Sequence, residues 1–187
     1  MIEQTLILIK PDGVYRSLIG SVITRFENAG LKVVGIKMLK PDPKFVGMHY
    51  AADDEWLKAV GTKAKASYKE KGVDVKESEI EIGHKIRQQL IDFLANEPTI
   101  AMVVEGNAAI FVVRKIVGAT EPRSAESGSI RGMYSNDSYD LADKQQRALK
   151  NIIHASSGSA EAKKEIAVWF KPNEIINYER ADEKAQY

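Results

Sequence analysis

The stretch that leaves this chain least freedom is Thr5-Leu6-Ile7-Leu8-Ile9, which stops at Lys10-Pro11-Asp12-Gly13. A compact apolar run of this length, closed by Pro-Asp-Gly, reads as a buried strand entering a turn. A lysine at that junction can aim its ammonium into a cleft, although snorkelling to water is the commoner fate of lysine. Leu31 to Leu39 reads as a second strand, Thr99 to Val104 as a third, and Asn151 to His154 as the close of a fourth. Helical spacing falls between them. Ser17 to Ala29 carries Leu18, Ile19, Val22, Ile23 and Phe26 on one face, with Gly30 as its stop. Lys44 to Tyr50 makes a short helix, Lys85 to Leu94 a longer one, and Asn107 to Val117 another with Asn107 as N-cap. Ala160 to Val168 follows the fourth strand.

This order predicts an α/β sandwich (α+β) of ferredoxin-like, split βαβ type. Its four-stranded antiparallel sheet would have helices covering one face. Residues 1–187 read as a single domain, without internal repeats or low-complexity linkers. Residues 52–82 differ in composition: lysines at 58, 63, 65, 69, 71 and 76 alternate with acids. They read as an exposed, partly helical excursion anchored by Trp56 and Leu57. Residues 136–150 are polar, with room for a short helix. The tail beyond Phe170 offers Ile175, Ile176 and Tyr178 as anchors to the body or to a neighbouring subunit.

A net charge of +1 gives no bias toward nucleic acid or membrane. The absence of cysteine excludes a disulfide framework and a thiolate metal site. No apolar run is long enough to span a bilayer. The opening Met1-Ile2-Glu3-Gln4 lacks a signal-peptide pattern, so a cytoplasmic setting is expected.

His154 is one of three histidines. It ends a short strand-like run, and a helix N-terminus follows the small-residue turn from Ser156 to Ser159. Such a place suits contact with an anionic group, or nucleophilic use of a neutral imidazole. Taken locally, a core histidine with satisfied hydrogen bonds fits as well, and most histidines do no chemistry. Arg114 in the last turn of its helix can be no more than a charge favouring the helix dipole. Residues 119–133 form a long irregular stretch with Thr120, Arg123 and Arg131, and loops of that kind tend to be functional.

Several of these segments, in order, resemble nucleoside diphosphate kinases. Thr5-Leu-Ile-Leu-Ile-Lys10-Pro-Asp-Gly-Val14 resembles that family's opening strand and turn. Arg114-Lys-Ile-Val-Gly118-Ala-Thr120 is similar to its Arg…Gly-x-Thr segment, and Gly128-Ser-Ile-Arg131-Gly132 to its phosphate-loop arginine. Asn151-Ile-Ile-His154-Ala-Ser156 resembles its active-site strand, and Glu165-Ile-Ala-Val-Trp169-Phe170 the helix behind. The likeness covers most of the chain apart from the tail and two apparent insertions, about 52–82 and 134–147.

The resemblance implies ping-pong transfer of a γ-phosphoryl from a nucleoside triphosphate to a nucleoside diphosphate. His154 would be the nucleophile, with phosphohistidine as intermediate. Arg114 and Arg131 would hold phosphate oxygens, Thr120 would donate a hydroxyl, and Lys10 and Asn151 would hold the ribose hydroxyls near the phosphates. Tyr50 would pack beside His154. Glu165 would fix its tautomer, with Ser156 adding a hydrogen bond. Mg2+ would arrive on the nucleotide phosphates, without a dedicated protein metal site. A homo-oligomer is implied, hexamer or tetramer. Two departures stand out. Ile86 replaces the aromatic that usually stacks on the base, leaving Trp56 or Tyr68 as substitute platforms and weak base discrimination. Ala155-Ser156-Ser157-Gly158 replaces the usual Gly-Ser-Asp-Ser, which removes one loop aspartate. The alternatives are a nucleotide-binding regulatory protein without turnover and, with little support, a nucleic-acid binder using the lysines of 52–82.

Overall fold

The chain, as a computed structural model, is described for residues 1–50 and 52–186. β1 (Ile2–Ile9) leads through α1 (Pro11–Tyr15) and α2 (Ile19–Asn28) to β2 (Lys32–Leu39). α3 (Pro43–His49), α4 (Asp54–Glu70) and α5 (Glu79–Leu94) precede β3 (Thr99–Asn107). α6 (Ala109–Val117), α7 (Ile130–Tyr134) and α8 (Tyr139–Lys144) lead to the short β4 (Ile153–Ala155). α9 (Ser159–Trp169) and α10 (Glu183–Gln186) complete the order. The sheet runs β2-β3-β1-β4, every pair antiparallel. This is the ferredoxin-like architecture expected.

Coverage of the sheet differs from the expectation. Side chains of a strand alternate between faces, and β1 is buried on both. Ile7 and Ile9 join Met102, Val104, Val22, Phe26 and Val113 in one core. Leu6 and Leu8 join Ala101, Val103, Trp169 and Phe170 in another. Helices therefore pack on both faces, α2 and α6 on one, α3 and α9 on the other. The unbroken apolar run of β1 is the pattern that two-sided burial requires.

The strand and helix ends also shift. β3 continues through Asn107, pairing with Ile2, because its outer residues still have β1 as partner. Asn107 is therefore strand rather than N-cap. Ala108 occupies the cap position in left-handed backbone (φ 50°). α5 begins six residues before Lys85, at a capping box. Ser78 N–H donates to Glu81 Oε2 (2.8 Å) and Glu81 N–H to Ser78 Oγ (3.3 Å).

Residues 52–82 are less of an excursion than their composition suggested. α4 lies along α5 with Leu57 buried and Lys58 and Lys69 exposed. The two helices touch backbone to backbone at two glycines. A Cβ on Gly61 would run into the carbonyl of Glu79, and one on Gly83 into that of Leu57.

The tail folds onto β2, an edge strand. Ile176 N–H donates to Val34 O (2.7 Å), the Tyr178 hydroxyl to Val33 O (3.1 Å), and Arg180 Nη1 to Leu31 O (3.1 Å). Ile175 packs into the second core, whereas the Ile176 side chain faces solvent. Among the described residues, no helix is long and apolar enough to cross a membrane.

Gly83→Ala forces the α4–α5 contact apart and is expected to cost about 1–3 kcal/mol of stability, the usual range for overpacking. It should also expose Lys63, Lys65 and Lys69 to trypsin before the sheet unfolds. Thermal melts and limited proteolysis with mass spectrometry check both effects.

Candidate active site

The site begins where β1 ends. Lys10 N–H donates to Ile152 O (2.7 Å), and Ile152 N–H donates to Asp12 Oδ2 (2.8 Å). Between these bonds Ile152 takes a positive φ of 69°, a costly conformation for a β-branched residue. Ile153 N–H donates back to Asn151 O (2.7 Å). Residues 151–153 thus form a γ-turn of the strained kind, worth about 1–3 kcal/mol. Gly13 makes the fit possible, because a Cβ there would press on Ile9 and Ile152 (2.8 and 3.0 Å).

His154 follows, in register with Leu8. Its Nε2 lies 2.9 Å from Glu165 Oε1, a hydrogen-bond distance although off the line of the ring N–H. The Ser156 hydroxyl donates to Glu165 Oε2 (2.6 Å) and accepts from Leu6 N–H (3.3 Å). A backbone amide of β1, a serine, a carboxylate and an imidazole therefore stand in line. With Nε2 facing the carboxylate, Nδ1 is left to present a lone pair. It has no hydrogen bond among the described residues, and a fifth of the side chain is exposed.

The cationic side chains sit where their helices and turns put them. Lys10 is buried, and its Nζ donates to Asn151 Oδ1 (2.8 Å). Asn151 Nδ2 donates in turn to Thr120 O (2.8 Å). Arg131 is buried and gives Nη1 to Gly118 O (2.9 Å) and Nη2 to Ile153 O (2.7 Å). Burial, and then Arg114, draw Arg131 down to about 10, still cationic at neutral pH. Arg114 and Thr120 are exposed, and the Arg114 guanidinium has no partner among the described residues. Burial first, then Lys10, lower the His154 imidazole to about 3 despite the opposing charge of Glu161. The ring is neutral at pH 7, as a nucleophile must be.

His49 is a residue the sequence reading did not single out. It is buried at the end of α3, edge-on to His154 (ring centroids 4.6 Å apart), to Trp169 (5.7 Å) and to Tyr50 (4.7 Å). Its Nδ1 is 3.6 Å from Glu165 Oε1. Tyr50 thus meets His49 edge to face, and His49 meets His154 in the same way. The only cue was its place beside Tyr50 at a helix end. Arg87 of α5 secures this corner by donating Nη2 to Gly47 O (2.8 Å) and Nε to Tyr50 O (3.2 Å). Ligand atoms of His49, His154 and Glu165 lie within 4.8 Å of one another. Glu165 spends its oxygens on Ser156 and His154, an arrangement built for holding a ring rather than an ion.

A partly enclosed cavity of about 500 Å³ opens from Lys10, Thr120 and Asn151. It extends between α4 and α5 on one side and α8 with residues 147–149 on the other. Ile86, Trp56 and Tyr68 all line it, so both candidate platforms reach the cavity that Ile86 borders.

Comparison with known proteins gives consistent results. The family profile for nucleoside diphosphate kinase matches residues 3–59 and 79–175. A nucleoside diphosphate kinase of Pyrobaculum aerophilum is 42% identical over 180 residues, covering 94% of this chain and 98% of that protein. The crystal structure of an NDP kinase from the same organism superposes with a TM-score of 0.92 at 40% identity, over 95% of this chain and 100% of its own. A Borrelia burgdorferi nucleoside-diphosphate kinase, solved as a transition-state mimic with vanadate and ADP, superposes with a TM-score of 0.80 at 40% identity. The shares covered are 98% and 96%.

Burial, and secondarily Arg131, lower Lys10 to about 8, against a raising pull from Asp12. The ammonium is present below that pH and lost above it. Affinity for ADP should therefore fall as pH rises through about 8, and Lys10→Arg should remove that limb. Calorimetric titration across the range checks it, and a flat wild-type profile would refute the assignment.

Proposed function

The chain belongs to the nucleoside diphosphate kinase family and is a phosphotransferase, and we propose that its reaction runs through Nδ1 of His154. The supporting observation is a neutral imidazole, with Nε2 against Glu165 and Nδ1 unbound, beside three cationic side chains. In the first half-reaction the Nδ1 lone pair forms a bond to the γ-phosphorus of a nucleoside triphosphate. The bond from phosphorus to the bridging oxygen breaks, and the nucleoside diphosphate leaves with that electron pair. The ring keeps its Nε2 proton and gains positive character, which the Glu165 carboxylate stabilises. A terminal oxygen of the acceptor diphosphate then attacks the same phosphorus, and the N–P bond returns its electrons to Nδ1. No net proton transfer is needed. Catalysis rests on positioning and charge neutralisation, as phosphoryl transfer demands.

Arg114 and Arg131 take the transferring phosphate's oxygens, Thr120 contributes its hydroxyl, and Lys10 and Asn151 take the ribose. Because Lys10 and Asn151 already hold each other, a ribose hydroxyl enters an existing pair rather than ordering two free side chains. Tyr50 supports the pocket through His49. Mg2+ rides in on the nucleotide phosphates, which suits a cradle of lysine and arginine rather than carboxylates. The ADP and vanadate held by the Borrelia burgdorferi relative favour these ligands for this chain too. The whole chain acts as one catalytic domain. It assembles as a homo-oligomer, hexameric or tetrameric, and exposed Ile36 and Met38 on the edge strand β2 are available for packing a second copy.

Incubation with γ-labelled ATP should leave an acid-labile, alkali-stable label on the wild type and none on His154→Ala. Glu165→Gln should keep nucleotide affinity while slowing labelling about 10–100-fold, the value of one charge-assisted hydrogen bond. Nucleotide binding without any label on the wild type would favour a regulatory protein instead.

A further inference from the structure

The family profile is silent between residues 60 and 78. That gap is most of α4 and the turn leading to α5, a segment the family profile lacks. It does not hang free. Its inner face supplies Val60, Ala64, Ser67 and Tyr68 to the cavity that starts at Lys10, Thr120 and Asn151. Its far end is tied across the cavity mouth. Lys71 Nζ, at the C-terminus of α4, lies 2.7 Å from Asp140 Oδ1 and 3.0 Å from Asp143 Oδ2, both on α8. Burial, and then the nearby Asp143 carboxylate, raise the pKa of the Tyr68 hydroxyl. Asp140 is anchored behind by Arg123 Nη1 (2.6 Å). The glycine contacts that fuse α4 to α5 make the near end rigid, so the Lys71 end is the one free to part.

We propose that the inserted helix roofs the base-side end of the nucleotide site, and that the Lys71–Asp140–Asp143 clasp holds the roof shut over a bound nucleotide. The inference rests on the cavity being the nucleotide site. A volume of about 500 Å³ is ample for a nucleoside, within the usual range for ligand pockets. The roof presents the aromatic face of Tyr68 where Ile86 offers only an aliphatic one. The clasp is made of partly exposed ion pairs, each weak and screened by salt. It can therefore open on every turnover, and it sets how fast nucleotide leaves rather than whether phosphorus is transferred.

The test is the dissociation rate of a fluorescent ADP analogue, followed by stopped-flow displacement with excess ADP. For Lys71→Met it should rise about threefold to tenfold, the range that two such ion pairs supply. In the wild type it should climb with ionic strength, and in the variant much less. Lys69→Met, an exposed lysine on the same helix, should behave as wild type. Equal rates for Lys71→Met and wild type at low salt would overturn the clasp. Labelling of His154 by ATP, measured on the same proteins, separates the two readings. Its loss in the wild type with analogue binding intact would sink the phosphotransfer route but leave the roof standing. Failure of the analogue to bind would remove the roof with the site.

Discussion

The whole site hangs from the backbone knot between the end of β1 and residue 152. Two hydrogen bonds, from Lys10 N–H to Ile152 O and from Ile152 N–H to Asp12 Oδ2, hold an isoleucine in a left-handed conformation it would otherwise leave. β4 is only three residues long and could not keep that geometry alone. The knot fixes the residues on either side of it. Asn151 reaches back to Lys10, and His154 stands opposite Leu8. Strain of this kind persists only where its surroundings over-determine it, and here the surroundings are the fully buried Leu6–Ile9 end of β1.

Electrostatics completes what the backbone begins. A histidine among lysine and arginine side chains is discouraged from protonating twice over, by burial and by like charge. Glu161 works the other way, and burial raises the pKa of Glu165 beside the ring. The balance leaves an uncharged ring whose two nitrogens have unlike neighbours. The cations keep their charge by different means. Arg131 is buried yet remains a strong base that two backbone carbonyls accommodate, while Lys10 is left near its titration point.

Much of this was legible in the sequence. The order of strands and helices followed from periodicity, and β1 followed from its uninterrupted apolar run. The same run carried a further message, helices on both faces, because a one-sided sheet would have alternated. Lys10 and Asn151, far apart in the chain, meet at one end of the cavity, and Arg131 reaches the carbonyl of Ile153 beside His154. What periodicity could not show was tertiary in origin. β3 outruns its apolar stretch because β1 continues to offer hydrogen bonds. The lysine-rich segment hides a buried inner face, because Gly61 and Gly83 let two backbones meet, and glycine has no hydropathy pattern to reveal it. His49 escaped notice because its significance is entirely spatial: a buried ring wedged among an imidazole, an indole and a phenol.

The tail that crosses β2 has a consequence for how copies of the molecule can meet. An uncovered outer strand is a ready template for lengthening a sheet from one molecule into the next. Here the carbonyls of Leu31, Val33 and Val34 are already spoken for by Arg180, Tyr178 and Ile176. Along this edge, intermolecular continuation of the sheet is confined to the stretch after Gly35, a register only a few residues wide. The carboxy-terminal segment thereby acts as a bumper, barring runaway edge-to-edge stacking while leaving one short window for an ordered contact.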